Sequence, residues 1–598
     1  MAQEAPFTWC LPGSRGCLTM AVPPLPTLEE LLSRIDRDLV IVQSRMVLSA
    51  MVIIYIGAHG ALRRPPSAAP RVARTCDGKP KTLNAAAARN EEERFAEGFR
   101  ASDAIVLPIL AAGALIGLYY LLHWLDDPDI LSKFMRYYFS VASLASLGKL
   151  MGDALHLATG FVFPNIWADR FGHLYRFDLV SRRQLRRAVA ADPSASGGTG
   201  AWEVDESKDT TFPGPGPFLL VPLPLFKRAM WTARVLLKES WTIKLGLHGV
   251  GHGEFQVAFN SILGFFGAAI VAVCYHMTDS SDLSNLMAAG MSYGAFMLMS
   301  PTSFLIGSMV LTGLFVYDIV MVFYTPFMVT VATKIDAPIK MVFENQARSS
   351  LLGLGDIVLP GIFICLCLRF DLWRHYQKQI TYVPTKLTTE FEVASTDKDA
   401  TDNATETRKL VETKDLEVKA EFVDPQGRWG DWFWTLPLRL SGGASTSGLR
   451  AMAFPKTYFF ASMVGYAVGM LLTIAMLLVF QHGQPALLYL VPCVTGATWL
   501  TGAVRGELHD MWTYTEDGSL DTKDVLIDVD ENGKVVKAPP ADEATANAGR
   551  GKVQGAEATG KPPTDGEEEK KALALQSYVV FQFIVRAPDI ADIDEDNI

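Results

Sequence analysis

Two aspartates stand alone in long apolar segments near the middle of this 598-residue sequence. Asp318 is the only charge in FLIGSMVLTGLFVYDIVMVF, and Asp356 is the only charge in LLGLGDIVLPGIFICLCL. An ionisable side chain at membrane depth is costly, so it commonly marks a functional site. Two such residues in neighbouring segments predict a catalytic pair.

The spacing predicts that the two carboxyls lie at nearly the same depth. If the segments are antiparallel helices, Asp318 is about 21 Å from the end at Phe304, and Asp356 is about 18 Å from the adjacent end at Leu368. Two carboxyls that face each other in a medium of low dielectric constant share one proton. One carboxyl can then activate a water molecule while the other polarises a peptide carbonyl, as in an aspartyl protease. The sequence does not assign these two roles.

Small residues beside the second aspartate favour an accessible site. Gly353 and Gly355 place little side-chain bulk around Asp356, so a peptide backbone could approach it. The alternative is that these glycines are packing contacts between membrane helices. Pro485 stands at the predicted start of the last apolar segment, where a proline loses no hydrogen bond.

The apolar residues fall in blocks of about 20, the length that crosses a bilayer, and 49% of the sequence is hydrophobic. We predict an all-α polytopic membrane protein with nine transmembrane helices. The predicted order is an N-terminal tail (1–44), helices 1–3 (45–155) with a loop at 63–103, an insertion loop (156–256), helices 4–7 with the catalytic core (257–368), a loop (369–455), helices 8–9 (456–504) and an acidic tail (505–598). We expect the insertion and the 369–455 loop to be partly disordered and the tail largely disordered. Within the tail, QSYVVFQFIV favours a strand or a docking segment.

Charge asymmetry between the loops predicts the orientation. The loop at 63–103 is strongly basic, whereas the connections DDPD and HMTDSSD are acidic. We therefore expect the basic loops and the C-terminus in the cytosol and the N-terminus in the lumen. The loop between the two Asp segments, with Lys334, Lys340 and Arg348, is a mild exception. The net charge of −10 is unevenly spread and supports no nucleic-acid partner.

Three motifs in this sequence resemble those of the signal peptide peptidase family, which are presenilin-type GxGD intramembrane aspartyl proteases. The motifs are YD (Tyr317, Asp318), GxGD (Gly353, Leu354, Gly355, Asp356) and PAL (Pro485, Ala486, Leu487). The stretches GLGDIVLPGIFICLCLRFD and QPALLYLVP are similar to this family as well. The similarity covers about 255–378 and 455–510.

The resemblance implies an aspartic endopeptidase that cleaves transmembrane helices within the bilayer of the endoplasmic reticulum. The implied substrates are remnant signal peptides and type II membrane segments. Asp318 and Asp356 would be catalytic, and the PAL turn would lie beside them and help to hold the substrate. We expect Tyr317 and the GxGD glycines and leucine to support the site, with no metal and no cofactor.

The sequence leaves alternatives open for the partners, the compartment and the class of function. The partners are transmembrane-helix substrates and the lipid bilayer, with a homo-oligomer or a quality-control complex as further alternatives. The sequence ends IADIDEDNI, without a dilysine retrieval signal, so a related protease of a later compartment is one alternative. A membrane transporter or channel that uses buried acids is another.

Overall fold

The computed structural model describes residues 8–9, 18–19, 36–69, 97–124, 128–169, 171, 173–178, 183–187, 202–204, 224–247, 251–334, 340–345, 348–393, 406–436, 453–480, 484–516, 526–529, 535–537 and 581–586. Helices dominate this part of the chain. They are α1 (Arg37–Gly60), α2 (Asp103–Trp124), α3 (Pro128–Val162), α4 (Pro224–Lys238), α5 (Phe259–Thr278), α6 (Ser281–Leu298), α7 (Phe304–Phe323), α8 (Phe327–Lys334), α9 (Leu354–Gln377), α10 (Trp429–Trp434), α11 (Thr457–Phe480), α12 (Leu487–Arg505) and α13 (Leu508–Thr513).

Six of the described helices are long and apolar enough to cross a membrane: α1, α2, α5, α7, α11 and α12. Three others, α3, α6 and α9, have 18 residues or more but are not among these six. In α9, for example, Asp356, Arg369 and Asp371 interrupt the apolar sequence. The prediction of a helix-rich multi-pass membrane protein is therefore confirmed, whereas nine crossings stay a prediction.

The described residues also contain strands, which the prediction of an all-α fold missed. They are β1 (Thr8–Trp9), β2 (Leu18–Thr19), β3 (Glu97–Phe99), β4 (Ile166–Ala168), β5 (Leu174–Asp178), β6 (Arg183–Arg187), β7 (Trp202–Val204), β8 (Ser240–Leu247), β9 (Gly251–Ala258), β10 (Met299–Pro301), β11 (Lys340–Asn345), β12 (Arg348–Gly353), β13 (Thr381–Val393), β14 (Glu406–Val418), β15 (Leu526–Val529), β16 (Val535–Lys537) and β17 (Phe581–Arg586). The strands form small sheets, with the orders β4-β5-β6-β7, β17-β8-β9 and β13-β14-β15-β16 among them.

The segment QSYVVFQFIV of the tail contributes a strand, as one of the two sequence interpretations had it. This strand, β17, pairs antiparallel with β8, with Phe581 opposite Leu247 and Arg586 opposite Thr242. Strand β8 belongs to the insertion at 156–256, so the tail and the insertion share a sheet. Both regions therefore contain regular structure where the structure describes them.

Helix α9 is the central helix of the bundle. Its residues from Pro360 to Trp373 are all buried, and it contacts α1, α6, α7, α11 and α12. A helix that is surrounded on all sides needs apolar residues around its whole circumference, and the stretch IFICLCL supplies them. The same hydrophobic cluster includes side chains from each of those neighbouring helices.

The bounds of α9 differ from those predicted for the second Asp segment. The predicted helix covered 351–368, but Leu351 and Leu352 lie in β12, opposite Val342 and Met341 of β11. The helix continues to Gln377, because its polar second half has buried partners that the sequence did not indicate. Asp356 lies in the first turn of α9.

One of these partners is the Glu516 cluster, which we define as Arg63, Ser300, Arg369, Tyr514 and Glu516. Arg369 Nε donates to Glu516 Oε1 at 2.7 Å, and Arg63 Nη2 donates to Glu516 Oε2 at 2.6 Å. The hydroxyls of Tyr514 and Ser300 donate to Glu516 at 2.8 Å each. These contacts join the far end of α9 to the segments after α1, α6 and α13.

A second partner of the polar half of α9 is the start of α11. Asp371 accepts hydrogen bonds from the backbone N–H groups of Tyr458 (3.3 Å) and Phe459 (2.9 Å). The first N–H groups of a helix have no partner within the helix, so a carboxylate there satisfies them and is favoured by the helix dipole. Asp371 thereby fixes α11 against α9.

Candidate active site

Asp318 lies on the buried face of α7, fifteen residues into the helix. The side chain of Ser303 caps the start of α7 by accepting a hydrogen bond from the N–H of Ile306 at 3.2 Å. From this start, the buried positions recur every three or four residues, as expected for one helix face. They are Phe304, Gly307, Val310, Leu311, Leu314, Asp318 and Met321. Asp318 is only 4% exposed, so the carboxyl faces the protein interior and not the lipid.

Asp356 is the third residue of α9, directly after the β11–β12 hairpin. Gly353 is the N-cap of the helix, and the Asp356 carboxyl lies beside it. The third helical residue is the position from which an acidic side chain can reach back toward the cap. An acidic residue in the first turn is also favoured by the helix dipole. Local sequence therefore explains where the Asp356 side chain points.

The hairpin that precedes Asp356 is itself held in place by α6. The side-chain amide of Asn285 forms two hydrogen bonds of 2.7 Å with the backbone N–H and C=O of Val342 in β11. Met341, Phe343 and Leu352 of the hairpin are buried in the main core. Because β12 ends at Gly353, these contacts also fix the start of α9.

The PAL residues form the start of α12 and contact Asp318. Pro485 and Leu487 are buried, and Ala486 is the N-cap residue. The backbone N–H of Leu487 donates to Asp318 Oδ2 at 3.1 Å. This N–H is one of the unpaired donors at a helix start, so the Asp318 carboxylate serves as a cap supplied by another helix.

The helices that carry the two carboxyls pack together. Helices α7, α9 and α12 contact one another. Asp318 of α7 accepts the backbone N–H of Leu487 at the start of α12, and Asp356 lies at the start of α9. The structure thus brings both aspartates into one group of packed helices.

The glycines leave the Asp356 side of this pair open. Gly353 and Gly355 are exposed, while Leu354 is half-buried and packs against the main core. A Cβ at Gly353 would lie 3.4 Å from Asp356 Oδ2, and a Cβ at Gly355 would have Leu359 Cδ1 at 4.0 Å as its nearest neighbour. A substrate backbone could therefore approach Asp356 from this side.

Two tyrosines lie next to the aspartates, one in the sequence and one in the fold. Tyr317 is half-buried, and the described contacts do not join it to Asp356 or to the PAL turn. Tyr466 of α11, which sequence reasoning missed, is fully buried, and its hydroxyl donates to the backbone C=O of Asp356 at 3.4 Å. Within the described residues, no group of His, Cys, Asp and Glu side chains could hold a metal ion.

The fold is thus that of a multi-pass membrane protein in which two packed helices, α7 and α9, each carry an aspartate. The family model described as signal peptide peptidase matches residues 91–518. The chain belongs to the signal peptide peptidase family. No solved structure matches it.

Curated relatives carry names from the same family. The chain is 33% identical over 241 residues to Intramembrane protease 2 of Caenorhabditis elegans, which covers 39% of this chain and 38% of the relative. It is 29% identical over 262 residues to Signal peptide peptidase of Homo sapiens and of Mus musculus, with 42% of this chain and 49% of each relative covered. The chain thus spans less than half of the length of these relatives.

Proposed function

We propose that this protein is an intramembrane aspartyl endopeptidase that cleaves transmembrane helices within the bilayer. The observation that carries the proposal is the pair of Asp318 and Asp356, which lie on two apolar helices of a signal peptide peptidase family member. The packing of α7 on α9 supports a shared function. The names of the relatives, which denote proteases, support the same reaction class.

The chemistry follows from two carboxyls that share one proton. Two like charges in close contact in a low-dielectric interior are unfavourable, so one carboxyl keeps a proton. The ionised carboxyl removes a proton from a water molecule as the water attacks the scissile carbonyl carbon, and the protonated one donates to the carbonyl oxygen. When the tetrahedral intermediate collapses, a proton passes to the leaving amine. Either carboxyl can take either of these two roles.

The opening at Gly353 and Gly355 supports entry of a peptide backbone. A transmembrane helix hides its carbonyls in internal hydrogen bonds, so the cleaved segment must be locally extended. We propose remnant signal peptides and type II membrane segments as substrates, as the motif resemblance implies. Tyr317, Leu354 and the PAL residues Pro485, Ala486 and Leu487 would support the site and hold the substrate.

The proposed membrane arrangement has nine crossings, made by α1, α2, α3, α5, α6, α7, α9, α11 and α12. Basic loops favour the cytosol, which puts the loop at 63–103 and the tail after Arg505 on that side. The N-terminus is then luminal. We propose the endoplasmic reticulum membrane as the location, since the signal peptides are released there.

Reconstitution into lipid vesicles tests the proposal. Purified protein should cleave a labelled signal peptide at a site within its apolar segment, read by mass spectrometry, and Asp356→Ala and Asp318→Ala should each abolish cleavage. Asp282→Asn is a matched control, because this aspartate lies exposed in the first turn of α6. Acid-dependent ion flux without cleavage would instead indicate a transporter or channel.

A further inference from the structure

A proline stands four residues after Asp356 in the same helix. In an α-helix, the C=O of residue 356 accepts a hydrogen bond from the N–H of residue 360. That residue is Pro360, which lies inside α9 and has no N–H. The carbonyl of Asp356 therefore lacks its regular intrahelical donor, at the one position of α9 that carries the candidate catalytic carboxyl.

The hydroxyl of Tyr466 lies where this donor is missing. Tyr466 is fully buried on α11, and its Oη donates to the backbone oxygen of Asp356 at 3.4 Å. A buried Tyr hydroxyl normally has a hydrogen-bond partner, and this carbonyl is the partner here. The distance is longer than the usual 2.5–3.0 Å for an O–H···O bond. Hydrogen bonds of catalytic sites are often long before the substrate binds.

The position of Tyr466 along α9 is set independently by Asp371. This carboxylate of α9 binds the N–H groups of Tyr458 and Phe459 at the start of α11. Because Asp371 and Asp356 lie on the same helix, α9 itself fixes the register in which α11 presents the Tyr466 hydroxyl.

Helix α11 also contacts the helix that binds Asp318. A Cβ at Gly465 would lie 2.6 Å from the backbone oxygen of Cys493 in α12, and one at Gly469 would lie 3.0 Å from Leu490 Cα. The absence of side chains at these glycines permits the close packing of α11 on α12. Helix α12 starts at Leu487, whose N–H binds Asp318. Tyr466 thus lies on α11, which packs both on α9, the helix of Asp356, and on α12, the helix whose first N–H binds Asp318.

We propose that Tyr466 is a positioning residue, whose hydroxyl replaces the N–H that Pro360 lacks and thereby sets the place of Asp356 relative to Asp318. The proposal rests on the protease function proposed above. Its distinctive consequence is that the need for the hydroxyl depends on the proline. If residue 360 regains an N–H, the Tyr466 hydroxyl becomes dispensable.

The test is a double-mutant cycle of Tyr466→Phe and Pro360→Ala, with kcat and KM measured for signal-peptide cleavage in vesicles. Tyr466→Phe alone should lower kcat about 2- to 10-fold, the effect of one lost hydrogen bond, with KM unchanged. In the Pro360→Ala background, the same change should alter kcat less than about 2-fold. Tyr458→Phe is the matched control: its hydroxyl, on the same helix, binds Glu507, so kcat should stay at the wild-type value.

Equal losses of kcat in both backgrounds, or no loss in the wild-type background, would overturn the assignment. If Pro360→Ala does not fold, the pH profile of kcat decides. If Tyr466 positions Asp356, Tyr466→Phe changes the separation between the acid and base limbs of this profile, because the limbs report the pKa values of the coupled carboxyls. Unchanged limbs would overturn the proposal. Absence of cleavage by the wild-type protein would refute the protease function itself, and is thus distinct from a failure of this inference.

Discussion

Replacing Glu516 by Gln should destabilise the bundle strongly, because it removes the negative charge of the Glu516 cluster. Burial alone would raise the pKa of Glu516, but the charges of Arg369 and Arg63 and hydrogen bonds from Arg369 and Tyr514 lower it from 4.5 to about 2. At about 1.4 kcal/mol per pH unit, this difference corresponds to about 3 kcal/mol of stability. A buried charge without its partner costs about 3–5 kcal/mol, so two independent arguments give a similar magnitude.

The same shift predicts a pH dependence with a definite sign. The folded-state pKa of Glu516 lies below its unfolded value, so the stabilisation is fully present above pH 4.5 and is lost as the pH falls toward 2. The free energy of unfolding, measured by denaturant titration in detergent micelles, should fall by about 3 kcal/mol in Glu516→Gln at neutral pH. The free energy of unfolding of the variant should also depend less on pH between 4.5 and about 2 than that of the wild type.

Asp510→Asn is the matched control for this prediction. The side chain of Asp510 is 36% exposed and lies 3.8 Å from Arg374 Nε, so the pair should contribute no more than about 1 kcal/mol. A loss below about 1 kcal/mol in Glu516→Gln, no larger than that of the control, would refute the reasoning.

Two further predictions concern the packing of the bundle. Gly264→Ala should prevent α5 from packing on α3, because the new Cβ would lie 2.3 Å from the backbone nitrogen of Gly152. The yield of folded protein in size-exclusion chromatography should therefore fall. A Cβ at Gly117 would have nothing within 4 Å, so Gly117→Ala should behave as wild type, and equal yields of the two variants would contradict the prediction. Asp371→Ala should lower the free energy of unfolding by about 1–3 kcal/mol, because two N–H groups at the start of α11 lose their acceptor; an unchanged denaturation midpoint would contradict it.

The catalytic roles of Asp318 and Asp356 stay a prediction, which the sequence could make because its evidence is local. Asp318 and Asp356 stand out against the apolar residues around them, and Gly353 and Gly355 are adjacent to the second aspartate. Within the tail, the sequence favoured a strand or a docking segment, and the structure has a strand there. In each case the physical argument needs only neighbouring residues.

The features that the sequence did not predict depend on distant partners. The polar end of α9 remains helical because Arg369 meets Glu516 and Asp371 meets the start of α11. The pairing of β17 with β8 joins segments that lie far apart in the sequence. No sequence pattern identified Tyr466 as a donor to the carbonyl of Asp356. Hydrophobic periodicity carries no information on such contacts.

The central claim is that Asp318 and Asp356 act as one catalytic unit. It is tested most directly by the cleavage rate of a labelled signal peptide in vesicles that contain Asp318→Asn, Asp356→Asn or the double variant. Residues that act together are strongly non-additive, so each single variant should retain no more activity than the double variant. A single variant that cleaves the peptide faster than the double variant would contradict the account.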